Sequence, residues 1–165
     1  QVIHRSTTAA DHTRYASNRP LSAVEKAERF LIAHMMKNRT VTEWVKQQVG
    51  ADFHVEIYAA LAAYLYTYYQ ERTEEDVGRF IAFLDDPLLK SKASELAMLE
   101  LPETIREEEL SDYVRQIQNA VIQDEIEKKK QLMEQLSTID PIRAAEISKE
   151  IVALREKLKR KESLL

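Results

Sequence analysis

The stretch from Glu107 to Leu136 reads EEELSDYVRQIQNAVIQDEIEKKKQLMEQL, thirty residues without a proline or a glycine. A continuous helix over these residues would be about 45 Å long, at a rise of about 1.5 Å per residue. That length exceeds the diameter of a compact domain of roughly 100 residues. The sequence therefore predicts a helix that packs on a globule at one end and projects from it at the other.

Apolar residues are unevenly spread along this predicted helix. The middle, residues 123–131, contains a single apolar side chain, Ile126. The first half carries a helically spaced stripe of Leu110, Tyr113, Val114, Ile117 and Val121. We expect the first half to pack on the globule. A polar stalk with few tertiary contacts would let the segment beyond it swing relative to the globule.

A turn and a final helix follow the stalk. Asp140 is a favourable N-cap residue, and Pro141 suits the first helical position. The apolar residues then recur at steps of 4, 3 and 4, the spacing of a seam that packs on one antiparallel neighbour: Ile147, Ile151, Leu154 and Leu158. Leu132, Met133 and Leu136 would supply the facing seam. The pattern predicts a helical hairpin over residues 123–165.

Residues 21–122 carry the signals of five shorter helices before the long one begins. Capping-box pairs at Ser22 and Glu25, and at Thr40 and Glu43, predict the starts of the first two. Thr73 with Asp76, and then Pro87, predict the starts of the fourth and fifth. Together these segments predict a helical bundle.

The third predicted helix, about residues 54–71, is apolar nearly all round. Such a helix is normally surrounded by other helices. Its tyrosines suit the margin of a core, where the ring is buried and the hydroxyl meets water. This segment therefore predicts the centre of the bundle.

Composition supports an all-α fold and excludes several kinds of site. The 165 residues include two glycines and no cysteine. A glycine-rich phosphate loop, disulfides and thiolate metal sites are therefore excluded for this sequence. Residues 1–20 are polar and aperiodic, which predicts a linker or tail. The longest apolar run is too short to span a bilayer, and the lack of cysteine fits the cytoplasmic location that we expect.

Charge and histidine positions argue against nucleic-acid binding and catalysis. Residues 21–122 carry 11 basic and 18 acidic side chains, a net charge of −7. This charge disfavours binding to duplex DNA, because that binding depends on basic residues that neutralise phosphates. No HExxH pattern occurs among the four histidines. His34, between apolar neighbours, is predicted to be a core histidine. The paired acids stand at helix starts, where they interact with the helix dipole. We expect no catalytic residue, metal or cofactor.

The hairpin is the candidate site, because two helices cannot cover all of their own apolar residues. Exposed apolar patches usually mark docking surfaces. The candidate partner-binding residues are Ile139, Ile142, Arg143, Glu146, Ile147, Glu150, Ile151, Leu154, Leu158, Leu164 and Leu165. Weak self-association through the same hairpin, as in a structural module, is the competing interpretation.

Five segments together resemble the C-terminal helicase-binding domain of bacterial DNA primases of the DnaG type. They are VEKAERFLIAHMMKN (24–38), FHVEIYAALAAYLYTYYQE (53–71), KASELAMLEL (92–101), ELSDYVRQI (109–117) and AAEISKEIVALREKL (144–158). The order and spacing of the five segments, with a stalk and a hairpin after the bundle, carry the resemblance. The resemblance covers about residues 21–160.

The resemblance implies a helical bundle followed by a hairpin that docks on the N-terminal domains of the hexameric replicative helicase. It implies that the bundle modulates helicase activity, and that the zinc-binding and polymerising domains of the parent primase lie elsewhere. The helicase's own N-terminal domain has a similar fold, so that domain is the alternative. The hairpin directly after the bundle favours the primase.

Overall fold

The structure is a computed structural model that describes residues 20–162. Most of the predicted linker, as well as Leu164 and Leu165, lies outside the described residues. Within them the chain forms seven helices and no strand: α1 (Ala23–Lys37), α2 (Arg39–Gln48), α3 (Glu56–Glu71), α4 (Val77–Phe83), α5 (Pro87–Ala97), α6 (Glu107–Leu136) and α7 (Pro141–Glu162). The predicted all-α fold is confirmed.

The capping box predicted at the start of α1 is present. The Ser22 hydroxyl accepts from the backbone N–H of Glu25 at 3.2 Å, and the Glu25 carboxylate accepts from the Ser22 N–H at 2.7 Å. Both N–H groups lack intrahelical partners, so each is satisfied by the other residue's side chain. Local chemistry alone sets this helix start.

The caps predicted for α2 and α4 are wrong by a few residues. Asn38 caps α2 instead of Thr40, since its Oδ1 accepts from Val41 N–H at 3.0 Å. Asp76 caps α4 instead of Thr73, since its Oδ1 accepts from Arg79 N–H at 2.9 Å. Asparagine and aspartate are at least as good N-caps as threonine. The two helices accordingly begin directly after Asn38 and Asp76.

The start of α3 is capped by a residue from another helix. Its N-cap, Val55, has no side chain that can accept a hydrogen bond. Glu28 of α1, which is fully buried, accepts from Val55 N–H at 3.0 Å and also from His54 N–H. Burial raises the pKa of Glu28, and the two backbone donors counteract part of that shift. The helix therefore begins at Glu56 rather than at His54.

The bundle core surrounds α3. Leu61, Leu65 and Tyr68 of α3 are fully buried, and α3 packs against α1, α2, α4 and α5. The core draws buried residues from α1 through α6; α6 contributes Leu110, Val114 and Ile117. The first half of α6 therefore belongs to the bundle, as its apolar stripe predicts.

The tyrosines of α3 lie deeper than predicted. Tyr68 and Tyr69 are buried rather than marginal. The Tyr69 hydroxyl donates to the Met36 carbonyl at 3.1 Å, and the Tyr66 hydroxyl donates to the Gly50 carbonyl at 2.9 Å. Burial raises the pKa of Tyr66 and of Tyr69 to about 12. The sequence predicted that the tyrosine hydroxyls would meet water. In the structure, the hydroxyls of Tyr66 and Tyr69 instead donate to backbone carbonyls of neighbouring segments.

A second, separate core lies where α6 leaves the bundle. Its buried residues are Ile122 and Ile126 of α6 and Ile147 and Ile151 of α7. The second half of α6 packs on α7 along this seam. The two cores divide near residue 122, and the division into a bundle of residues 21–122 and a hairpin of residues 123–165 stays a prediction.

Candidate partner-docking hairpin

The seam between α6 and α7 holds the hairpin together. Ile147 and Ile151 are buried in it, and Leu154 and Leu158 pack on it at half-buried positions. On the α6 side, Met133 and Leu136 pack as predicted, but Leu132 points to solvent. Instead, Ile122 and Ile126, which lie closer to the bundle along α6, are the buried α6 residues of the seam. The seam therefore extends farther toward the bundle than the sequence pattern indicated.

The turn between α6 and α7 has the predicted geometry. Asp140 Oδ1 accepts from Arg143 N–H at 3.0 Å, and Pro141 is the first residue of α7. This cap satisfies one of the N–H groups that a helix start leaves without a partner. It therefore ends the turn at a defined residue and orients the first turn of α7.

A network of ion pairs crosses one side of the hairpin. Lys129 of α6 donates to Glu150 of α7 at 2.6 Å, and Arg143 donates to Glu146 at 2.8 Å. Arg143 also lies 3.5 Å from the other oxygen of Glu150. The hydrogen bond from Lys129 lowers the pKa of Glu150. Three predicted site residues, Arg143, Glu146 and Glu150, are therefore engaged with one another, and Glu150 also joins the two helices.

Among its described residues, the hairpin leaves four large apolar side chains exposed. They are Leu132 (43% exposed), Ile139 (79%), Ile142 (77%) and Val152 (55%). Ile139 and Ile142 flank the Asp140 cap at the turn, so they form an apolar tip, which we call the hairpin tip. Exposed apolar side chains that lie together are a feature of docking surfaces. The candidate set includes both tip residues.

Two exposed apolar residues of the hairpin are missing from the candidate set. Val152 follows Ile151 and falls between the seam positions, so the 4-3-4 spacing carried a signal that it faces away from α6. Leu132 precedes Met133, and no local signal distinguishes which of the two faces α7. The remaining candidates, Leu164 and Leu165, lie outside the described residues.

The buried candidates have a different position from the tip. Ile147 and Ile151 are 1% and 4% exposed. Side chains inside the seam stabilise the hairpin and are covered by its own helices. A direct contact of these two residues with a partner stays a prediction, and it requires the hairpin to open.

Polar contacts connect the hairpin to the bundle. His54, just before α3, lies 2.6 Å from Asp124 of α6 through its Nδ1. Gln118 of α6 donates to the Gln48 carbonyl at 2.7 Å and accepts from Lys161 of α7 at 2.8 Å. These contacts join residues far apart in the sequence, so no local pattern could predict them.

The described residues contain no arrangement suited to catalysis by metal ions. Within residues 20–162, no group of three or more histidine, aspartate or glutamate side chains is placed to hold a metal. His34 is buried, and burial lowers its pKa. Among the described helices, none combines the length and the apolar character needed to cross a membrane.

The chain is similar to curated bacterial DNA primases, although no protein-family model matches it. It is 37% identical over 145 residues to a DNA primase from Halalkalibacterium halodurans, which is 88% of this chain and 24% of that protein. It is 35% identical over 139 residues to one from Geobacillus stearothermophilus, which is 84% of this chain and 23% of that protein. The chain therefore spans about a quarter of the length of these relatives.

A solved structure corresponds to nearly the same segment. The DnaB-binding domain of DnaG from Bacillus stearothermophilus is 34% identical to this chain, with a TM-score of 0.51. The match covers 86% of this chain and 97% of that domain. The bundle and hairpin together therefore correspond to one known domain.

Proposed function

The chain belongs to the family of DnaB-binding domains of DnaG, the bacterial DNA primase, and from this premise we propose that it docks a primase onto the hexameric replicative helicase. The observation that carries the proposal is the 34% identity over 97% of a solved domain that is named for its binding to DnaB. Membership of the primase family also disfavours the alternative that the chain is the helicase's own N-terminal domain.

The hairpin tip is the part of the domain that we propose contacts the N-terminal domains of the helicase. Ile139 and Ile142 are more than three-quarters exposed and lie on a turn held by the Asp140 cap. Apolar anchors on a rigid element lose little conformational entropy on binding, which favours affinity. The charged residues Arg143 and Glu146 lie beside them and suit the polar rim of an interface.

The bundle would have a modulatory role rather than a catalytic one. The matched domain amounts to about a quarter of a primase, so primer synthesis is assigned to the other parts of the parent enzyme. In this proposal the fragment acts in the cytoplasm at the replication fork, and the bundle modulates helicase activity once the hairpin is docked. Incubation of the fragment with template and nucleotides is expected to give no RNA.

The docking proposal is tested by comparing two matched pairs of apolar substitutions. One variant carries Ile139→Ser and Ile142→Ser at the hairpin tip. The control carries Leu88→Ser and Met98→Ser, which are 70% and 85% exposed on the bundle. Affinity for a purified hexameric DnaB-type helicase is measured by titration, and circular dichroism checks that both variants are folded.

The tip variant is expected to lose at least about tenfold in affinity, which is about 1.4 kcal/mol and is typical for the loss of interface anchors. The bundle variant is expected to bind like the parent chain. Full affinity of the tip variant, or a larger loss in the bundle variant, would contradict docking through the tip. Deleting residues 138–165 is a poorer test, because it also uncovers Ile122 and Ile126.

Weak self-association through the hairpin is the second use of the same surface. The exposed tip residues favour it, because apolar groups at high concentration can pair with a second copy of the chain. Light scattering on parent and tip variant separates the two uses. A stable dimer at all concentrations, abolished in the tip variant, would favour a structural module over a docking domain.

A further inference from the structure

Basic side chains of the hairpin gather near the end of α7. Residues 155–161 carry five basic side chains and one acidic one, a net charge of +4, whereas residues 21–122 carry a net charge of −7. The charge that disfavours duplex DNA therefore belongs to the bundle, and the last turns of α7 have the opposite sign. Basic side chains also interact favourably with the dipole at a helix C-terminus, so charge alone does not make this segment a binding site.

Two adjoining hollows lie beside this segment. The first has a volume of about 270 Å³, lies between α2, α6 and the end of α7, and includes Trp44. The second has a volume of about 510 Å³, lies along α7 and includes Lys157 and Arg160. Lys161 lines both hollows, so they form one continuous surface, which we call the α7 groove. The charged side chains that line it are Arg115, Glu156, Lys157, Arg160 and Lys161.

Two of these basic side chains are available to an anion. Lys157 and Arg160 are exposed, and among the described residues neither has a hydrogen-bond or ion-pair partner. They lie three residues apart, so they are neighbours on one face of the helix. Lys161 donates to the uncharged amide oxygen of Gln118 at 2.8 Å, and that hydrogen bond leaves its positive charge in place. The three cations therefore form a contiguous basic surface.

The positive charge of the α7 groove exceeds the charge of the acids near it. Burial lowers the pKa of Lys161, and the positive charge of Lys157 lowers it further. The two ammonium groups thus repel each other where the hollows meet, and a bound phosphate would relieve that repulsion. Arg115 forms an ion pair with Asp112, and Glu156 is the one acid among the described residues that line the groove.

Trp44 supplies an aromatic ring at the other end of the α7 groove. It is half-buried, and the hollow around it is lined largely by polar side chains, including Gln48, Ser111 and Gln118. An apolar partner that covered the ring would also bury these polar groups, which is unfavourable unless they gain hydrogen bonds. A nucleobase stacks on an aromatic ring through its face and carries hydrogen-bonding atoms at its edge. Cations that follow a strand and a ring that stacks a base are the combination typical of surfaces that bind single strands.

We propose that the α7 groove binds a single strand of DNA, with phosphates on Lys157, Arg160 and Lys161 and an unpaired base on Trp44. A duplex keeps its bases stacked on one another, so it has no free base for Trp44, and the acidic bundle repels its dense charge. The proposed docking on a replicative helicase places the groove at a replication fork, where unpaired DNA is present. Only the choice of DNA over RNA rests on that proposed function, because strand binding is measured without helicase.

The test measures binding of the full chain to a short, fluorescently labelled oligodeoxythymidine by anisotropy at several salt concentrations. The groove variant carries Lys157→Gln and Arg160→Gln. The matched control carries Lys26→Gln and Lys90→Gln, which change the net charge equally and replace exposed lysines on α1 and α5, away from the residues that line the groove. Circular dichroism verifies that both variants keep the helix content of the parent. An unlabelled oligonucleotide is used to follow the fluorescence of Trp44, the single tryptophan of the chain.

The parent is expected to bind the oligonucleotide, more weakly as salt rises, with quenching of Trp44 fluorescence by the stacked base. The groove variant is expected to lose at least about fivefold in affinity at low salt, because two phosphate contacts are removed. The slope of log affinity against log salt should become shallower by about 1.4, at about 0.7 for each phosphate contact to a single strand. The control variant is expected to bind like the parent.

Four results would overturn the proposal. They are no binding at low salt, an equal loss of affinity in the control variant, unchanged Trp44 fluorescence at saturation, and equal or tighter binding of the corresponding DNA duplex. Tighter binding of oligouridine would refute DNA as the strand. Tighter binding of oligoglutamate would show instead that the groove fits an acidic segment of a protein.

Discussion

The bundle and the hairpin differ in how many helices cover each apolar face. The bundle core joins buried residues from six helices, whereas the hairpin core consists of four isoleucines from two helices. A helix such as α3 can therefore be apolar nearly all round and still be covered. A two-helix unit buries one side of each helix and leaves Ile139 and Ile142 in water.

This difference explains why an exposed apolar pair lies on the hairpin. The bundle also exposes Leu88 and Met98, but isolated apolar side chains are normal on protein surfaces. At the hairpin tip two of them flank one turn on a unit whose own core is small. The bundle therefore has the larger buried core, and the hairpin has the exposed apolar pair that we propose docks. Substitutions in the two regions should accordingly lower stability to different extents.

The largest effect is expected in the bundle. Leu31 of α1 is fully buried, so Leu31→Ala removes buried methyl groups and leaves a cavity. We expect the free energy of unfolding to fall by about 3–5 kcal/mol, measured by denaturant unfolding followed by circular dichroism. Helix signal from the entire bundle should be lost in one transition. A change below about 1 kcal/mol would show that α1 is not central to the core.

A smaller and more local effect is expected in the hairpin. Ile147 is 1% exposed in the second core, and Ile147→Ala should destabilise the hairpin by about 2–3 kcal/mol, at the lower end for such substitutions. Because that core is separate, α7 should open without the bundle. Hydrogen exchange of α7 amides should accelerate while α3 amides stay protected. Ile142→Ala is the matched control, and an equal acceleration in α3 would refute separate opening.

The smallest effect is a pH dependence confined to the bundle. Burial lowers the pKa of His34, with Glu109 acting against the shift and Lys37 adding to it. In the unfolded chain the imidazole takes up a proton near its ordinary pKa of about 6.5, while the folded chain resists protonation to lower pH. The free energy of unfolding should therefore fall as pH drops below about 6.5.

The variant His34→Gln isolates this dependence. Its difference in stability from the parent should change over the same pH range, because glutamine cannot take up the proton. Urea unfolding at several pH values measures the difference. A difference that stays constant from neutral to mildly acidic pH would show that His34 does not titrate differently on folding.

Much of the fold could be predicted because local chemistry specifies it. The Ser22–Glu25 capping box, the uninterrupted α6 and the Asp140–Pro141 helix start each depend on residues within a few positions of one another. The α7 side of the hairpin seam followed from spacing alone. In each of these cases the sequence pattern and the favoured conformation of the same short segment agree.

The remainder depends on contacts between distant residues. The cap of α3 comes from Glu28, which is 26 positions before His54, and the seam extends to Ile122 because α7 is long enough to reach back to the bundle. Leu132 and Met133 are adjacent apolar residues, and tertiary packing decides which one faces α7. The ion pairs of Arg143, Glu146 and Glu150 likewise connect predicted partner-binding residues to one another and, through Lys129, to α6.

The docking of the hairpin tip is tested most directly by hydrogen exchange of the chain alone and in complex with a hexameric DnaB-type helicase. The account predicts that added protection is greatest in residues 137–145, around Ile139 and Ile142, with little change in α3 and α4. Protection confined to the bundle helices, with the hairpin tip exchanging as in the free chain, would contradict it.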